Sequence, residues 1–211
     1  MPNLYVVGDS FSFIPNENCG EENVWSISLS KKIKYQLYDY SLVGCAQDYI
    51  FQQIANIKHT ITSDDRLIVV LTDPSRFWFF EDIAHLTNIQ IVDFESVLPN
   101  KERYAATQYY FKYIQRLSLD TQLMNHRLGW LNNIVTVYNW QKPIIILGFP
   151  QAIDYDDYTN LIFSNGDLSS VSKSELTSSK VDLYGIDPRF NHLCFRNHTV
   201  LVDKLDNTLT N

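Results

Sequence analysis

Three short, unbroken apolar runs constrain the fold of this chain more than any other sequence feature. They read Leu-Tyr-Val-Val at 4–7, Leu-Ile-Val-Val-Leu at 67–71 and Ile-Ile-Ile-Leu at 144–147. A run of this length without polar alternation is typical of a strand that is buried on both faces, as in a parallel sheet. The sequence therefore predicts a central, mostly parallel sheet with strands at these positions.

The segments between these runs carry mainly helical patterns, with apolar residues every three or four positions. Strands that alternate with helices imply right-handed crossovers, which place helices on both faces of the sheet. The predicted fold class is therefore α/β, a three-layer α/β/α sandwich. The predicted helices cover 21–33, 47–59, 102–140 (one long helix or two abutting ones) and 195–205, and a further strand covers 35–43.

Two segments do not fit this alternation. Residues 73–100 contain Pro74 and the aromatic cluster Phe-Trp-Phe-Phe at 77–80, and we expect an elaboration of the third strand there. This cluster could line a substrate cleft, but packing in a core or an interface is the favoured interpretation. The stretch 150–183 is rich in Ser, Asp, Asn and Thr and predicts mostly a long surface loop. With 211 residues and no linker or repeat, we expect a single domain over 1–211.

Charge and hydropathy argue against several kinds of partner. The formal net charge is -7, and no block of Lys and Arg is longer than Lys31-Lys32, so a nucleic-acid partner is not expected. The N-terminus has no basic segment, and its apolar run stops at Gly8, which is too short for a signal peptide or a membrane span. We therefore expect a soluble protein that is made in the cytoplasm and has no membrane partner.

The cysteines and most of the histidines indicate no disulfide or metal site. Cys19, Cys45 and Cys194 fit neither a disulfide framework nor zinc-ligand spacing, so reduced thiols are expected. Cys194 lies two residues from His192, but the two side chains should point in different directions, which disfavours a Cys-His dyad. Three further histidines have no acidic or cysteine neighbours at ligand spacing, namely His59, His85 and His126.

Polar residues typical of catalytic sites follow the predicted strands. In an open parallel sheet, binding sites form at the carboxyl ends of the strands. Loops favour Gly, Asp and Ser for conformational reasons alone, so each signal is weak by itself. A serine after the first strand and a histidine at the start of the last helix could nevertheless meet over one sheet edge, which nucleophilic catalysis requires. The positions are Gly8-Asp9-Ser10, Gly44, Thr72-Asp73, the loop after Gly148, and His192.

Taken together, these residues resemble the SGNH or GDSL-type hydrolases, and the resemblance spans nearly the whole chain. That family places its nucleophilic serine in a Gly-Asp-Ser block after the first strand, as at 8–10, and an oxyanion glycine after the second strand, as at Gly44. Its third block, Gly-x-Asn-Asp, aligns with Val-Leu-Thr-Asp at 70–73. Its last block has two histidines six residues apart at the start of the final helix, matched by His192 and His198.

The resemblance implies a flavodoxin-like SGNH hydrolase fold and a serine esterase that cleaves carboxylic esters, for example an O-acetyl group on a carbohydrate, without a cofactor. Ser10 would be the nucleophile, and His192 would take its proton, as a neutral imidazole can near pH 7. The backbone N–H groups of Ser10 and Gly44, together with Thr72, would hold the oxyanion. The residues that could contact substrate are Asp9, Asp73 and Arg76.

The third block departs from the family pattern at the oxyanion site. Thr72 stands where the family has a side-chain amide. The threonine hydroxyl is shorter and would have to be aimed differently, so one oxyanion donor could be lost. Arg76 could supply charge in its place, or it could be a surface arginine that pairs with Asp73 or Glu81.

The last block departs from the pattern at the residue that orients the histidine. The family has an aspartate three residues before the histidine, and this chain has Arg189 there. Asp187 is the nearest carboxylate, so either Asp187 or a backbone carbonyl would orient His192. We interpret His198, in the first turn of the closing helix, as a packed or hydrogen-bonded structural residue.

Two other functions stay open. The departures at 72 and 189, together with 13 Tyr and 12 Phe that would suit a protein interface, are compatible with a non-catalytic binding or assembly module. The pattern after the third strand is similar to proteins of tailed bacteriophages, which would imply a virion-associated role. A flavodoxin-like nucleotide or phospho-acceptor domain would explain Asp9 but not the spaced histidines, and the chain lacks a glycine-rich phosphate loop.

Overall fold

The computed structural model describes residues 1–9, 11–12, 24–74, 76–79, 82–86, 105–106, 108–148, 153–167 and 195–210. These residues contain seven strands, four α-helices, one π-helical turn and one 3-10 turn. In chain order they are β1 Asn3–Val7, α1 Trp25–Ile33, β2 Gln36–Asp39, α2 Gln47–Ile57, β3 Arg66–Leu71, β4 Phe77–Phe79, β5 Asp82–Leu86, the π-helical turn Tyr110–Ile114, α3 Leu117–Tyr138, β6 Ile144–Leu147, the 3-10 turn Tyr155–Asp157, β7 Ile162–Asp167 and α4 Phe195–Thr210.

The central sheet has five strands in the order β2-β1-β3-β6-β7. All four neighbouring pairs are parallel. The register places Val6 of β1 beside Asp39 of β2 on one side and beside Ile68 of β3 on the other. The three apolar runs thus form the three central strands, and the predicted α/β fold with a parallel sheet is confirmed.

Alternate residues of these strands contribute their side chains to two hydrophobic cores, one on each face of the sheet. On one face, Leu4 and Val6 belong to a core with Trp25 of α1 and Leu201 of α4. On the other face, the core contains the next residues along β1 and apolar residues of α2 and α3, namely Tyr5, Val7, Ile50, Ile54, Leu128 and Leu131. Each buried Leu or Ile side chain stabilises the fold by about 1.5–3 kcal/mol. The two cores make the predicted three layers.

The prediction of a loop over 150–183 was wrong over part of that range. Tyr155–Asp157 form the 3-10 turn, and Ile162–Asp167 form the edge strand β7. The sequence of β7, Ile-Phe-Ser-Asn-Gly-Asp, has only two apolar residues and low strand propensity. An edge strand pairs on one side only, here with β6, so it needs no continuous apolar run. Residues 150–152 and 168–183 lie outside the described part of the chain.

Several helix and strand boundaries differ from those predicted. The segment predicted over 102–140 holds the π-helical turn and α3, separated at Gln115 and Arg116, which both have extended ψ angles. Phe77–Phe79 and Asp82–Leu86 form an antiparallel pair, β4 and β5, within the predicted elaboration. Helix α1 begins at Trp25, β2 ends at Asp39, and α4 continues to Thr210.

Within the described ranges, every helix is too short or too polar to cross a lipid bilayer.

Candidate active site

The residues predicted to carry the chemistry divide between described and undescribed parts of the chain. Ser10, His192 and Asp187 lie outside the described residues, as does Arg189. The residues on both sides of position 10 are described, and so are the loop after β2 and residues 72–74 and 76 of the loop after β3. These three loops follow parallel strands, so they lie at the same edge of the sheet.

The turn after β1 is held by hydrogen bonds between near neighbours. Asp9 is fully buried, and its Oδ1 accepts the N–H of Phe11 at 3.0 Å. The Asp9 carbonyl accepts both the N–H of Ser12 at 3.0 Å and the Ser12 hydroxyl at 3.1 Å. Ser41 donates its hydroxyl to Ser12 Oγ at 2.9 Å, so the loop after β2 supports the turn as well. The described residues on both sides of position 10 are therefore tightly fixed.

Close packing explains the glycine at position 8. A Cβ atom added to Gly8 would lie 2.2 Å from Ser12 Oγ and 2.8 Å from Val70 Cβ. Real Cβ atoms essentially never approach other heavy atoms so closely. The turn can therefore approach β3 only because this residue has no side chain.

The loop after β2 packs directly on that turn. Leu42 donates its N–H to the Gly8 carbonyl at 3.0 Å, and the Cys45 thiol lies 3.3 Å from the same oxygen. Gly44 has a φ of 72°, in the left-handed region that favours glycine. Burial raises the pKa of the Cys45 thiol, so this cysteine stays protonated at neutral pH and is a poor nucleophile. The predicted oxyanion glycine, Gly44, thus lies in a loop that is tied to the turn after β1.

The loop after β3 is held by side chains from the helices. Thr72 is fully buried, and its carbonyl accepts the side-chain amide of Gln47 at 2.8 Å. Gln47 Oε1 in turn accepts from Arg127 of α3 at 3.1 Å, and Arg127 also pairs with Asp48. Sequence analysis missed the role of Gln47. Its only signal is a polar residue at the start of an amphipathic helix.

Arg76 joins all three loops. Its Nη1 lies 3.4 Å from Asp9 Oδ2 and donates to the Cys45 carbonyl at 3.1 Å. The Arg76 side chain is 15% exposed and that of Asp9 is 0% exposed, so the ion pair is largely shielded from water. The backbone turn from Asp73, in which the Arg76 N–H donates to the Asp73 carbonyl at 3.2 Å, directs Arg76 there. The sequence suggested Asp73 or Glu81 as its partner and did not indicate Asp9.

The second histidine of the predicted last block contacts another helix. His198 lies in the first turn of α4, and its Nδ1 accepts the N–H of Trp25 at 3.3 Å. Trp25 is the first residue of α1, whose N-cap residue Val24 supplies no side-chain hydrogen bond. His198 therefore satisfies one of the free N–H groups at this helix end. The structural interpretation of His198 is confirmed.

The arrangement as a whole brings the loops after β1 and β2 together at the sheet edge. Asp9 and Gly44 lie in loops that are cross-linked through the Gly8 carbonyl and through the Asp9–Arg76 pair. Two backbone N–H groups in such rigid loops can stabilise a developing negative charge. Among the described residues, no three His, Cys, Asp or Glu side chains gather closely enough to hold a metal ion.

No family model and no curated protein sequence matches the chain. Solved structures do match it over almost its full length. A candidate lipolytic protein of the G-D-S-L family from Desulfitobacterium hafniense DCB-2 is 12% identical with a TM-score of 0.53, and covers 98% of this chain and 99% of its own. A member of the lipolytic G-D-S-L family from Veillonella parvula DSM 2008 is 10% identical with a TM-score of 0.52, covering 100% and 99%.

A candidate SGNH hydrolase from Slackia heliotrinireducens is 8% identical with a TM-score of 0.51, and covers 99% of this chain and 98% of its own. None of these descriptions supports the association with bacteriophages that the sequence suggested. Identities this low establish the fold rather than the activity. The chain has the α/β/α fold of the GDSL and SGNH hydrolases.

Proposed function

We propose that this protein is a serine esterase of the SGNH type, which cleaves a carboxylic ester through an acyl-enzyme intermediate. The observation that carries the proposal is the cross-linked pair of loops at the sheet edge. One contains Gly8 and Asp9, directly before Ser10, and the other contains Gly44 with its φ of 72°. The fold shared with GDSL and SGNH hydrolases supports the same conclusion.

In the proposed reaction, Ser10 Oγ attacks the acyl carbon while His192 takes its proton. The carbonyl oxygen becomes an oxyanion, which the N–H groups of Ser10 and Gly44 stabilise, and each such donor contributes about 3 kcal/mol to lowering the barrier. His192 then gives the proton to the departing alcohol. Water, deprotonated by the same histidine, attacks the acyl-enzyme, and His192 returns that proton to Ser10 Oγ as the bond between Ser10 and the acyl group breaks and the carboxylic acid leaves. We expect Asp187 or a backbone carbonyl to orient His192.

Thr72 has a weaker place in this mechanism than the family pattern implies. It is fully buried, and its carbonyl is engaged by Gln47. Full burial argues against direct contact between its hydroxyl and a substrate. The proposal therefore depends on two backbone donors. An enzyme with one donor fewer is expected to be about 100-fold or more slower than a relative with three.

The test is covalent labelling by a fluorophosphonate probe, with turnover of p-nitrophenyl acetate as the second readout. We expect Ser10→Ala to abolish both, because the attacking oxygen is removed. The matched control is Ser63→Ala, which alters an exposed serine in the loop before β3, at the opposite edge of the sheet. Labelling that survives Ser10→Ala, or wild-type protein that neither labels nor turns over, would overturn the proposal.

The substrate class is tested separately, by comparing hydrolysis rates on different esters. We propose small acyl groups, such as the acetyl group of an O-acetylated carbohydrate. Initial rates on p-nitrophenyl acetate, butyrate and octanoate test the acyl length, and acetate release from acetylated xylan tests the alcohol. Preference for octanoate would contradict the acetyl proposal and leave the esterase proposal intact.

A non-catalytic binding module is the second candidate. The observation that favours it is the burial of Thr72, combined with Arg189 at the position where the family has an aspartate. In that case the wild-type protein would fold normally and show no Ser10-dependent labelling. The labelling experiment therefore separates the two candidates.

A further inference from the structure

We propose that Arg76 is a positioning residue, which holds the loop after β1, at Asp9, in a fixed position relative to the loop after β2, at Cys45. The proposal rests on the proposed esterase function for its catalytic consequence. Arg76 binds Asp9 Oδ2 at 3.4 Å and the Cys45 carbonyl at 3.1 Å through the same nitrogen, Nη1. Asp9 directly precedes Ser10, and Cys45 directly follows Gly44.

Two donors stabilise one oxyanion only when both point at the same oxygen. The loops that carry them are joined at the Gly8 carbonyl, through Leu42 N–H and the Cys45 thiol. They are also joined by the hydrogen bond from the Ser41 hydroxyl to Ser12 Oγ at 2.9 Å. Arg76 adds a junction at Asp9 and Cys45, the residues directly next to positions 10 and 44, so it fixes the two loops relative to each other where the proposed donors lie. A misplacement of about 1 Å in such a site can cost about 100-fold in rate.

The charge of Arg76 is needed for the buried carboxylate. The Asp9 side chain is fully buried, and one of its oxygens already accepts the Phe11 N–H. A buried carboxylate without a cation is strongly disfavoured, so the pair holds Asp9 in the orientation that fixes Phe11. Both contacts use the single nitrogen Nη1, so a lysine ammonium, which keeps the charge on a flexible stem, can replace them in part.

This role gives the loop after β3 a part in the site despite the threonine at position 72. The family resemblance places a direct oxyanion donor in this loop, and here Thr72 is buried instead. Arg76 belongs to the same loop and binds Asp9 and Cys45 of the other two loops. The loop then contributes by positioning the backbone donors, and does not itself touch the substrate.

The kinetic test compares Arg76→Met and Arg76→Lys with wild type on p-nitrophenyl acetate. We expect Arg76→Met to lower kcat by about 30- to 100-fold with KM changed less than about threefold, because the oxyanion exists only in the transition state. Arg76→Lys should restore part of kcat. The matched control is Arg66→Met, the same substitution at the opposite end of β3, which should leave kcat within about twofold.

A second measurement tests how firmly the two loops are held and does not depend on enzyme activity. Amide ¹H–¹⁵N shifts and hydrogen exchange are compared between wild type, Arg76→Met and Arg66→Met. We expect faster exchange and shifted resonances at Phe11, Gly44 and Cys45 in Arg76→Met only. If Arg76→Met fails to fold, Asp9→Asn/Arg76→Met replaces it, since that pair buries no uncompensated charge.

The outcomes separate this proposal from the esterase proposal. A folded Arg76→Met protein with kcat within threefold of wild type overturns the positioning role, and so does a raised KM with unchanged kcat, which would indicate substrate contact. Unchanged amide exchange at Gly44 and Cys45 also overturns it. If wild type shows no Ser10-dependent turnover, the esterase proposal fails, and the amide measurement alone decides whether Arg76 holds the two loops.

Discussion

The loop after β1 and the loop after β3 meet at the same sheet edge but are held in different ways. In the first, Asp9 binds Phe11 and Ser12, which are two and three residues away. The second has a local bond, from the Arg76 N–H to the Asp73 carbonyl, and contacts that cross the fold. Gln47 reaches Thr72 from 25 residues away, and Arg76 reaches Asp9 across 67 residues. Near neighbours in sequence thus close the first loop, which long-range contacts reinforce, whereas contacts across the fold hold the Thr72 carbonyl and the Arg76 side chain of the second.

The largest effect is expected from Asp9→Ala, which breaks the first loop and its link to the second together. The Phe11 N–H loses its acceptor, and Arg76, whose side chain is 15% exposed, loses its counter-charge. Loss of one partner of a buried ion pair costs about 3–5 kcal/mol, and urea denaturation followed by tryptophan fluorescence measures the loss. Asp64→Ala, in the exposed loop before β3, is the control. A loss under about 1 kcal/mol would mean that backbone contacts alone hold the loop.

A smaller loss is expected from Gly8→Ala, which tests the packing of the first loop without changing any charge. The new Cβ would clash with Ser12 Oγ at 2.2 Å and with Val70 Cβ at 2.8 Å. Overpacking of this kind costs about 1–3 kcal/mol. Gly129→Ala is the matched control, because a Cβ there meets no atom within 4 Å in the middle of α3, and alanine should stabilise that helix by about 0.5–1 kcal/mol. Equal effects at both glycines would refute the steric argument.

The same contrast explains how much of the molecule could be predicted from sequence. Buried parallel strands need continuous apolar runs, so β1, β3 and β6 were evident, whereas the edge strand β7 has only Ile162 and Phe163 and was missed. The Gly-Asp-Ser block at 8–10 could be recognised because it directly follows an apolar run and matches a family motif. The pairing of Arg76 with Asp9 could not, since neither residue has a local signal for the other. Ser10, His192 and Asp187 stay predictions, because they lie outside the described residues.

Gln47→Leu tests the contact by which helix α2 holds the second loop, the loop after β3. The substitution keeps the side-chain volume but leaves the Thr72 carbonyl and one Arg127 nitrogen without their partner. We expect the free energy of unfolding to fall by about 1–2 kcal/mol, with faster amide exchange in the loop after β3. Gln52→Leu is the control, since Gln52 is exposed on the same helix and bonds Asn56, one turn further along that helix. If both variants lose the same stability, the long-range bond does not hold the loop.

The smallest effect on stability is expected at Asp120 of α3, which feels the charge of Asp73 in the loop after β3. This effect depends on pH. Burial raises the pKa of Asp120 above its ordinary value of 3.8, and the negative charge of Asp73 raises it further, against a lowering by the Gln115 hydrogen bond. A carboxyl whose pKa is higher in the folded state opposes folding when it is ionised. That cost is absent below the unfolded pKa, grows as pH rises, and is complete above the folded pKa. Asp120→Asn removes it, so the stability of the variant relative to wild type should increase between pH 3 and pH 8. A difference that stays constant over this range would show that the charge at Asp120 does not oppose folding.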